Sequence, residues 1–486
     1  MKKLIALSLT LLTAVSLHAQ DSWDALRYSR ISFSGTSRYI GLGGSSGAVG
    51  ADLSLLATNP AGLGFYKSFE FTFTPGVSVT NTWSSYNDAP KNRDYQSNFA
   101  FNNMGFVFSF PSKKSDSKKG FRNFNIGFAM NRQNDYNSAT LIAGDNHASS
   151  LVNVFTDELN LSGVSQPNIR AAFPFDIGLA YDCQLIYFDS LNNQYTCDMP
   201  QGGVYQEKSI ITSGSLTEYD ISAGGNIADK VYIGLTMGIA SLHYEQDNYY
   251  YEFDSGDSIP YFKSMKYQYG FTTGGTGINF KAGVIYRPVE WFRAGLAFHS
   301  PTWYADMEDT YSSAMAARYD SILNPETQYS PYGYFNYEMK TPYRVIGSVA
   351  FFIGQRGFIS GEYEYVNYSQ AKFHDEDGSF REVNKDISSN FKAPLNFRLG
   401  SEWVFGPFRV RGGFGYSGKP ETSGITGVKY TASCGAGYFS RHFFTDVAYQ
   451  WTGMNGEYYL YQSDLVNAAD IWQQSSLITA TLGFRL

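Results

Sequence analysis

From Phe69 to the last residue, apolar side chains return at every second position. Phe69, Phe71 and Phe73 alternate with Glu70, Thr72 and Thr74. Met104, Phe106, Phe108 and Phe110 form a second row, and Phe124, Ile126, Phe128 and Met130 a third. The same alternation marks Val231, Ile233, Leu235, Met237 and Ile239, then Phe292, Ala294, Leu296 and Phe298, then Leu395, Phe397 and Leu399. A period of two puts successive side chains on opposite faces, so each segment predicts a strand with one apolar face. Beyond the first twenty residues, no stretch approaches the run of about 18 apolar residues that a membrane helix needs.

The connections narrow the β architecture. Ala228-Asp229, Arg287 to Glu290, Gly354 to Arg356, Gly406-Pro407 and Ser440-Arg441 are short, and Pro111 to Gly120 is longer and rich in Ser and Lys. Between them fall polar, tyrosine-rich loops near 81–97, 133–203, 254–263, 313–333, 375–393, 418–427 and 453–474. Strict alternation of turn and loop sorts the two kinds to opposite ends of a barrel, and about 14 strands gives the even number that bacterial barrels have. A secreted β-sandwich or propeller has no reason to sort its loops this way.

The start of the chain sets the compartment. Lys2 and Lys3 precede an apolar stretch from Leu4 to Leu17, and Ala19 offers a small residue before Gln20, the layout of a cleavable signal peptide over 1–19. Export, 17% aromatic residues, 48 glycines and only 17% charged residues fit strands that alternate between lipid and lumen. The expectation is an all-β transmembrane antiparallel barrel of the bacterial outer membrane over 68–486, its outer face in contact with membrane lipid. At the C-terminus, Ile478, Ala480, Leu482, Phe484 and Leu486 share a face opposite Thr479, Thr481, Gly483 and Arg485. Such a row resembles the signal read by the barrel assembly machinery, with Leu486 where Phe is commoner.

Two segments depart from the strand pattern. Residues 20–67 are rich in Gly and Ser. In 133–203, Leu151, Phe155 and Leu159 lie at helical spacing before an apolar stretch from Ile169 to Ile186, which predicts short helices over the barrel mouth.

Alternation also assigns the lumen. Glu362 and Glu364 oppose Tyr363 and Tyr365, Arg398 and Glu402 share a face, and so do Arg409 and Arg411. An Arg or Lys facing lipid at mid-depth costs about 2–4 kcal/mol, so these three strands turn their charges inward. The ladder either stiffens the wall as ion pairs or offers Arg398 or Arg409 to a carboxylate headgroup. Trp303, Tyr304 and Tyr311 are read as loop aromatics that meet an apolar ligand or anchor at the membrane interface.

Catalytic and cofactor motifs fail. Gly43-Gly44-Ser45-Ser46-Gly47 matches a G-x-S-x-G elbow in letters, but without the strand and helix that motif requires. Gly41-Leu42-Gly43 begins a dinucleotide fingerprint that ends wrongly at Ser46, and no Lys-Ser or Lys-Thr completes a P-loop. His147, His243, His299, His374 and His442 are scattered without metal spacing. No catalytic residue, metal or cofactor is expected, and a net charge of −7 offers no basic surface for nucleic acid. Cys183 and Cys197 are close enough in sequence to close a loop in an oxidising compartment, or to stay free.

The stretch from Gly35 to Tyr66, GTSRYIGLGGSSGAVGADLSLLATNPAGLGFY, resembles the amino-terminal region of the FadL/TodX hydrophobic-compound transporters as they occur in Bacteroidetes. The resemblance implies an N-terminal hatch plugging a 14-strand barrel, with Asn59, Pro60, Ala61 and Gly62 where hatch meets wall and takes part in gating. It also implies a hydrophobic small-molecule ligand, such as a long-chain fatty acid or aromatic hydrocarbon, released through a lateral opening. The 133–203 loop has no match in the family pattern. A protein-binding shuttle of a secretion system and an adhesive barrel stand as alternatives.

Overall fold

The computed structural model describes residues 20–32, 34–112, 120–199, 203–320, 325–375 and 377–486. The expected signal peptide, 1–19, lies outside the described residues. Fourteen antiparallel strands pair in chain order, and the last closes on the first. They are β1 (Glu70–Ser85), β2 (Asn92–Pro111), β3 (Phe121–Asp135, continued by Ser138–Asn146), β4 (Val204–Ile227), β5 (Val231–Phe253), β6 (Phe262–Val289) and β7 (Phe292–His299 and Trp303–Tyr319). Then follow β8 (Gly333–Lys340 and Arg344–Phe352), β9 (Gly357–Val366 and Lys372–His374), β10 (Asn396–Phe405), β11 (Phe408–Ser417), β12 (Thr426–Phe439), β13 (Phe443–Tyr458) and β14 (Ala469–Arg485).

The apolar rows point outward. Leu235, Leu296 and Phe408, each more than half exposed, belong to a continuous apolar face that only lipid would cover, while Thr, Asn and charged partners turn in. At one end the strands are joined tightly. Ala228 and Asp229 both take positive φ, 57° and 60°, the two-residue turn whose twist matches a hairpin. At the other end the strands climb far beyond the about 9–11 residues that cross a bilayer; β6 alone has 28. The loops expected at 81–97 and 453–474 accordingly shrink to 86–91 and 459–468. In β1 above Thr80 the inward residues Thr82 and Ser84 are as polar as outward Asn81 and Ser85, so alternation there leaves little contrast to read.

Four strands break. In β3 the ladder stops around Tyr136 and Asn137, so the irregular part of the 133–203 segment starts only after Asn146. β7, β8 and β9 break side by side, at 300–302, 341–343 and 367–371. Pro301 and Pro342 cannot donate to a ladder; Thr302 N instead donates to Thr341 Oγ1 at 2.8 Å and Thr341 N to the Thr302 carbonyl at 3.0 Å. Trp303 and Tyr311 therefore lie in a strand rather than a loop, and Tyr304, next along it, is buried inside the barrel.

The expected helices form over the long-loop end: α3 (Leu151–Ser162), α4 (Ile169–Ala172) and α5 (Ile177–Asp182). Ser150 caps α3 with Asn153 in a capping box. Val152, Phe155 and Leu159 on its inner face pack with Ile177 and Leu179 on Tyr250, Tyr267 and Met315 of the wall, forming a lid. Cys183 and Cys197 sit in this lid as free thiols.

Candidate functional site

Residues 20–32 and 34–66 run inside the barrel and are buried along almost their whole length. α1 (Ser22–Ser29) starts at a reciprocal Asp21–Asp24 capping box, and α2 (Ser37–Gly41) is capped by Thr36. Two short 3-10 turns follow, Leu53–Ala57 and Pro60–Phe65. Asn59 caps the second: its Oδ1 accepts from Ala61 N at 3.2 Å while Nδ2 donates to the Gly47 carbonyl at 2.7 Å. Pro60 occupies the first position of that turn, where a missing N–H costs nothing, and Gly62 N donates to the Asn59 carbonyl while its own carbonyl receives Ala51 N. The Asn59-Pro60-Ala61-Gly62 element thus knots the plug to itself and lies against the wall.

The wall meets the plug with small residues. A Cβ at Gly234 would overlap the Pro60 carbonyl, one at Gly283 the Asn59 side chain, one at Gly400 the Leu42 carbonyl and one at Gly413 the Gly43 amide. Gly234 pairs with Gly283, and Gly400 with Gly413, so two stretches of bare wall let plug backbone come within contact distance. Hydroxyls complete the seal: Ser360 Oγ donates to the Ser45 carbonyl at 2.6 Å and Thr236 Oγ1 to the Leu56 carbonyl at 2.9 Å. The G-x-S-x-G letters sit here, with the Ser45 hydroxyl buried and lacking any partner among the described residues.

Five of the six charged residues assigned to the lumen form buried ion pairs. Arg398 bridges Glu362 and Glu364, the second at 3.4 Å; Arg344 joins Glu364 at 2.8 Å. Arg411 joins Glu402 at 2.6 Å and also reaches Asp446. The plug plugs into both groups: Gly47 N donates to Glu362 at 2.9 Å, Arg38 Nε to Glu402 at 3.1 Å, and Arg344 holds the Ser29 carbonyl. Arg409 shares their face but lies at the short-turn rim, donating to the Gly406 and Phe408 carbonyls at 2.8 and 2.9 Å. Arg398 and Arg409 thus stand apart, the first already held by two carboxylates. A separate buried cluster, Lys281 with Glu218 and Asp220, went unread in the sequence, although Lys281 next to outward Phe280 carries the same alternation. Arg38 was illegible, because the plug has no period that assigns its faces.

The wall itself is split. β2 pairs with β1 from Asn92 to Val107, but with β3 only from Asn103 to Pro111. Beyond Asn131, β3 parts from β2 but stays paired with β4, and the two pass together behind β1 and β2. Ser78 donates to Asp135 at 2.8 Å, and Ser84 to the Leu141 carbonyl. Residues 92–102 of β2 therefore keep a free edge, flanked on the outside by the exposed rings of Tyr95, Phe99 and Phe101. The plug closes this split from within: Ser32 N donates to the Gln133 carbonyl at 2.7 Å, Ser32 Oγ to Asn134 at 3.0 Å and Ser34 Oγ to Asn102 at 2.8 Å. Just inside, Ala25, Leu26 and Tyr28 of α1 fill an apolar chamber walled by Leu216, Leu242, Tyr304 and Met307.

No protein-family model matches the chain, and no curated protein does. Solved structures do. A Pseudomonas aeruginosa FadL homologue superposes with a TM-score of 0.54 at 10% identity, over 94% of this chain and 99% of that one. The toluene transporter TodX of P. putida gives 0.54 at 9% identity, over 94% and 99%. The Ralstonia pickettii toluene transporter TbuX gives 0.51 at 13% identity, over 93% and 99%. By fold, the chain is a plugged fourteen-strand barrel of the FadL/TodX type.

Proposed function

We propose that the chain is an outer-membrane transporter of hydrophobic small molecules, of the long-chain fatty acid or aromatic class, that releases its ligand sideways into the bilayer. The observation that carries this reading is the split between β2 and β3, held shut by hydrogen bonds from residues 32 and 34 of the plug. A ligand that partitions into lipid has no use for a watery pore, and a side opening at the height of an apolar chamber hands it directly to hydrocarbon. Ligand reaches the chamber from under the lid and takes the space of α1, whose withdrawal loosens the plug segment at the split. Asn59 to Gly62 stay in place as the seal. The Gly35 to Tyr66 stretch supports the Bacteroidetes branch of the family, the barrel assembly machinery reads the β14 row during biogenesis, and the solved FadL-type and toluene-transporter structures share the fold.

The test joins the two sides of the split. Asn98 Nδ2 and Asp135 Oδ2 lie 3.5 Å apart across it, so an N98C/D135C pair linked by a short bis-thiol reagent fastens β2 to the departing β3. Uptake of labelled fatty acid and of toluene by cells dependent on this barrel should fall to background in the linked pair and persist in either single variant. Persistence in the linked pair removes the lateral route. One observation favours a second reading, a protein-binding shuttle: the lumen is bridged by ion pairs and filled by its own α1. Stoichiometric co-purification of a secreted protein with an otherwise empty barrel would decide for it.

A further inference from the structure

Beneath the plug, at the short-turn end, plug and turns wall an open cavity of about 810 Å³. That volume falls inside the ~300–1,000 Å³ range of small-molecule sites. Its walls carry six cations, Arg38, Lys67, Lys230, Arg287, Arg293 and Arg409, against three carboxylates, Asp229, Glu290 and Glu402. Two of the carboxylates are already engaged and the third, Glu290, is almost fully exposed. Glu402 is held by Arg38 and Arg411, Asp229 by Arg122 at 3.2 Å, and Glu290 lies 3.9 Å from Arg287. Among the described residues, Lys67, Lys230, Arg293 and Arg409 have no carboxylate within 4.0 Å.

Arg293 is the best placed of the four. Its guanidinium lies 4.5 Å from the Phe65 ring centre and 4.0 Å from that of Phe352, one ring from the plug and one from β8. Nη1 donates to the Val49 carbonyl, while buried Nε has no partner among the described residues. Rings on its faces leave a guanidinium only its edge for hydrogen bonding, and the edge formed by Nε and Nη2 is the fork that carboxylates and phosphates accept. A half-buried cation without a counter-charge is costly to keep, and the lumen cations above the plug show how this barrel otherwise treats them, with carboxylates at hydrogen-bond distance.

We propose that this cavity is an anion-binding site that takes the carboxylate or phosphate group of an amphiphile on the free edge of Arg293, with Lys67, Lys230 and Arg409 at its rim. Phe358 and Val404 in the same wall receive the adjoining apolar part. The site does not depend on what crosses the split, because the sealed plug stands between them.

Calorimetric titration of the full barrel in zwitterionic detergent tests the assignment with three probes: dodecyl phosphate, inorganic phosphate and dodecanol. Dodecyl phosphate should bind once per barrel. Arg293→Met should weaken it about tenfold or more, the loss expected when a charge-assisted bond is removed. The rim variant K67Q/K230Q/R409Q, which breaks no contact to the plug, should weaken it several-fold and reduce its salt dependence. Inorganic phosphate competing as well as dodecyl phosphate would identify a free anion as the ligand; inorganic phosphate failing to compete would identify an amphiphile headgroup. Dodecanol binding should be the same in all three proteins. Unchanged dodecyl phosphate affinity in both variants overturns the proposal, and lipid uptake in the linked split variant reports on the transport reading separately.

Discussion

Replacing Arg398 by Met removes the cation that Glu362 and Glu364 share. All three side chains are buried, at 3%, 5% and 4% exposure. Glu364 keeps Arg344 at 2.8 Å, but Glu362 loses its cation and keeps the Gly47 amide at 2.9 Å. Breaking a buried pair by deleting one member costs about 3–5 kcal/mol, mostly because the other charge stays behind without compensation. Pairing R398M with Glu362→Gln removes that stranded charge while keeping an acceptor for Gly47 N, so the double variant should recover about 2 kcal/mol or more of the loss. The assay is urea unfolding of the barrel in lipid vesicles, followed by tryptophan fluorescence, for wild type, both single variants and the double. Because Glu362 also holds the plug through Gly47, channel conductance in a planar bilayer should rise in R398M in parallel. A cost below about 1 kcal/mol, the range of exposed pairs, with no coupling between the two sites, would refute the view that these charges tie plug to wall.

Deleting residues 21–58 should open the lumen and raise planar-bilayer conductance well above wild type; conductance as low as wild type would deny that this segment is a plug. Gly234→Val places a side chain on the Pro60 carbonyl and should likewise raise conductance, while Gly347→Val, where a Cβ meets nothing within 4 Å, should not. Ser150→Ala removes the α3 cap and the hydrogen bond to Glu252 at 2.6 Å, costing about 1 kcal/mol, to be read as faster proteolysis of the lid with an unchanged barrel. In the lid, burial raises the Asp176 and Glu158 carboxyls above their ordinary values, Asp176 adding its own charge to Glu158. Raised acids favour the docked lid at low pH and lose that contribution as pH climbs through the raised values. Amide protection of α5, corrected for intrinsic rate, should therefore fall from mild acid to neutrality, and fall less steeply in D176N, where only Glu158 remains.

The barrel was legible in the sequence because lipid and lumen make opposite demands on alternate residues. Phe280 beside Lys281, or Tyr363 between Glu362 and Glu364, can each sit only one way, and an even series of such strands with sorted turns closes into one shape. The helical spacing of Leu151, Phe155 and Leu159 told of the lid for the same reason, since one face had to find apolar cover. Where both faces of a strand carry polar side chains, as above Thr80 in β1 with Thr82 and Ser84 buried on the inner face, the contrast disappears and strand was mistaken for loop. Other features were decided only in three dimensions. Which cation meets which carboxylate depends on register between strands: Arg409 and Arg411 share a face, yet two residues of rise put one in a buried ion pair and the other at an open rim. The split between β2 and β3 arises because the upper part of β3, still paired with β4, packs behind β1 instead of beside β2, a choice made by packing inside a closed wall and invisible to the alternation of β3 itself. The edge of Arg293 is free only because plug and wall bring two rings to its faces from positions 65 and 352. Local pattern determines where a strand lies and which way it faces; closure of the barrel determines what its side chains meet.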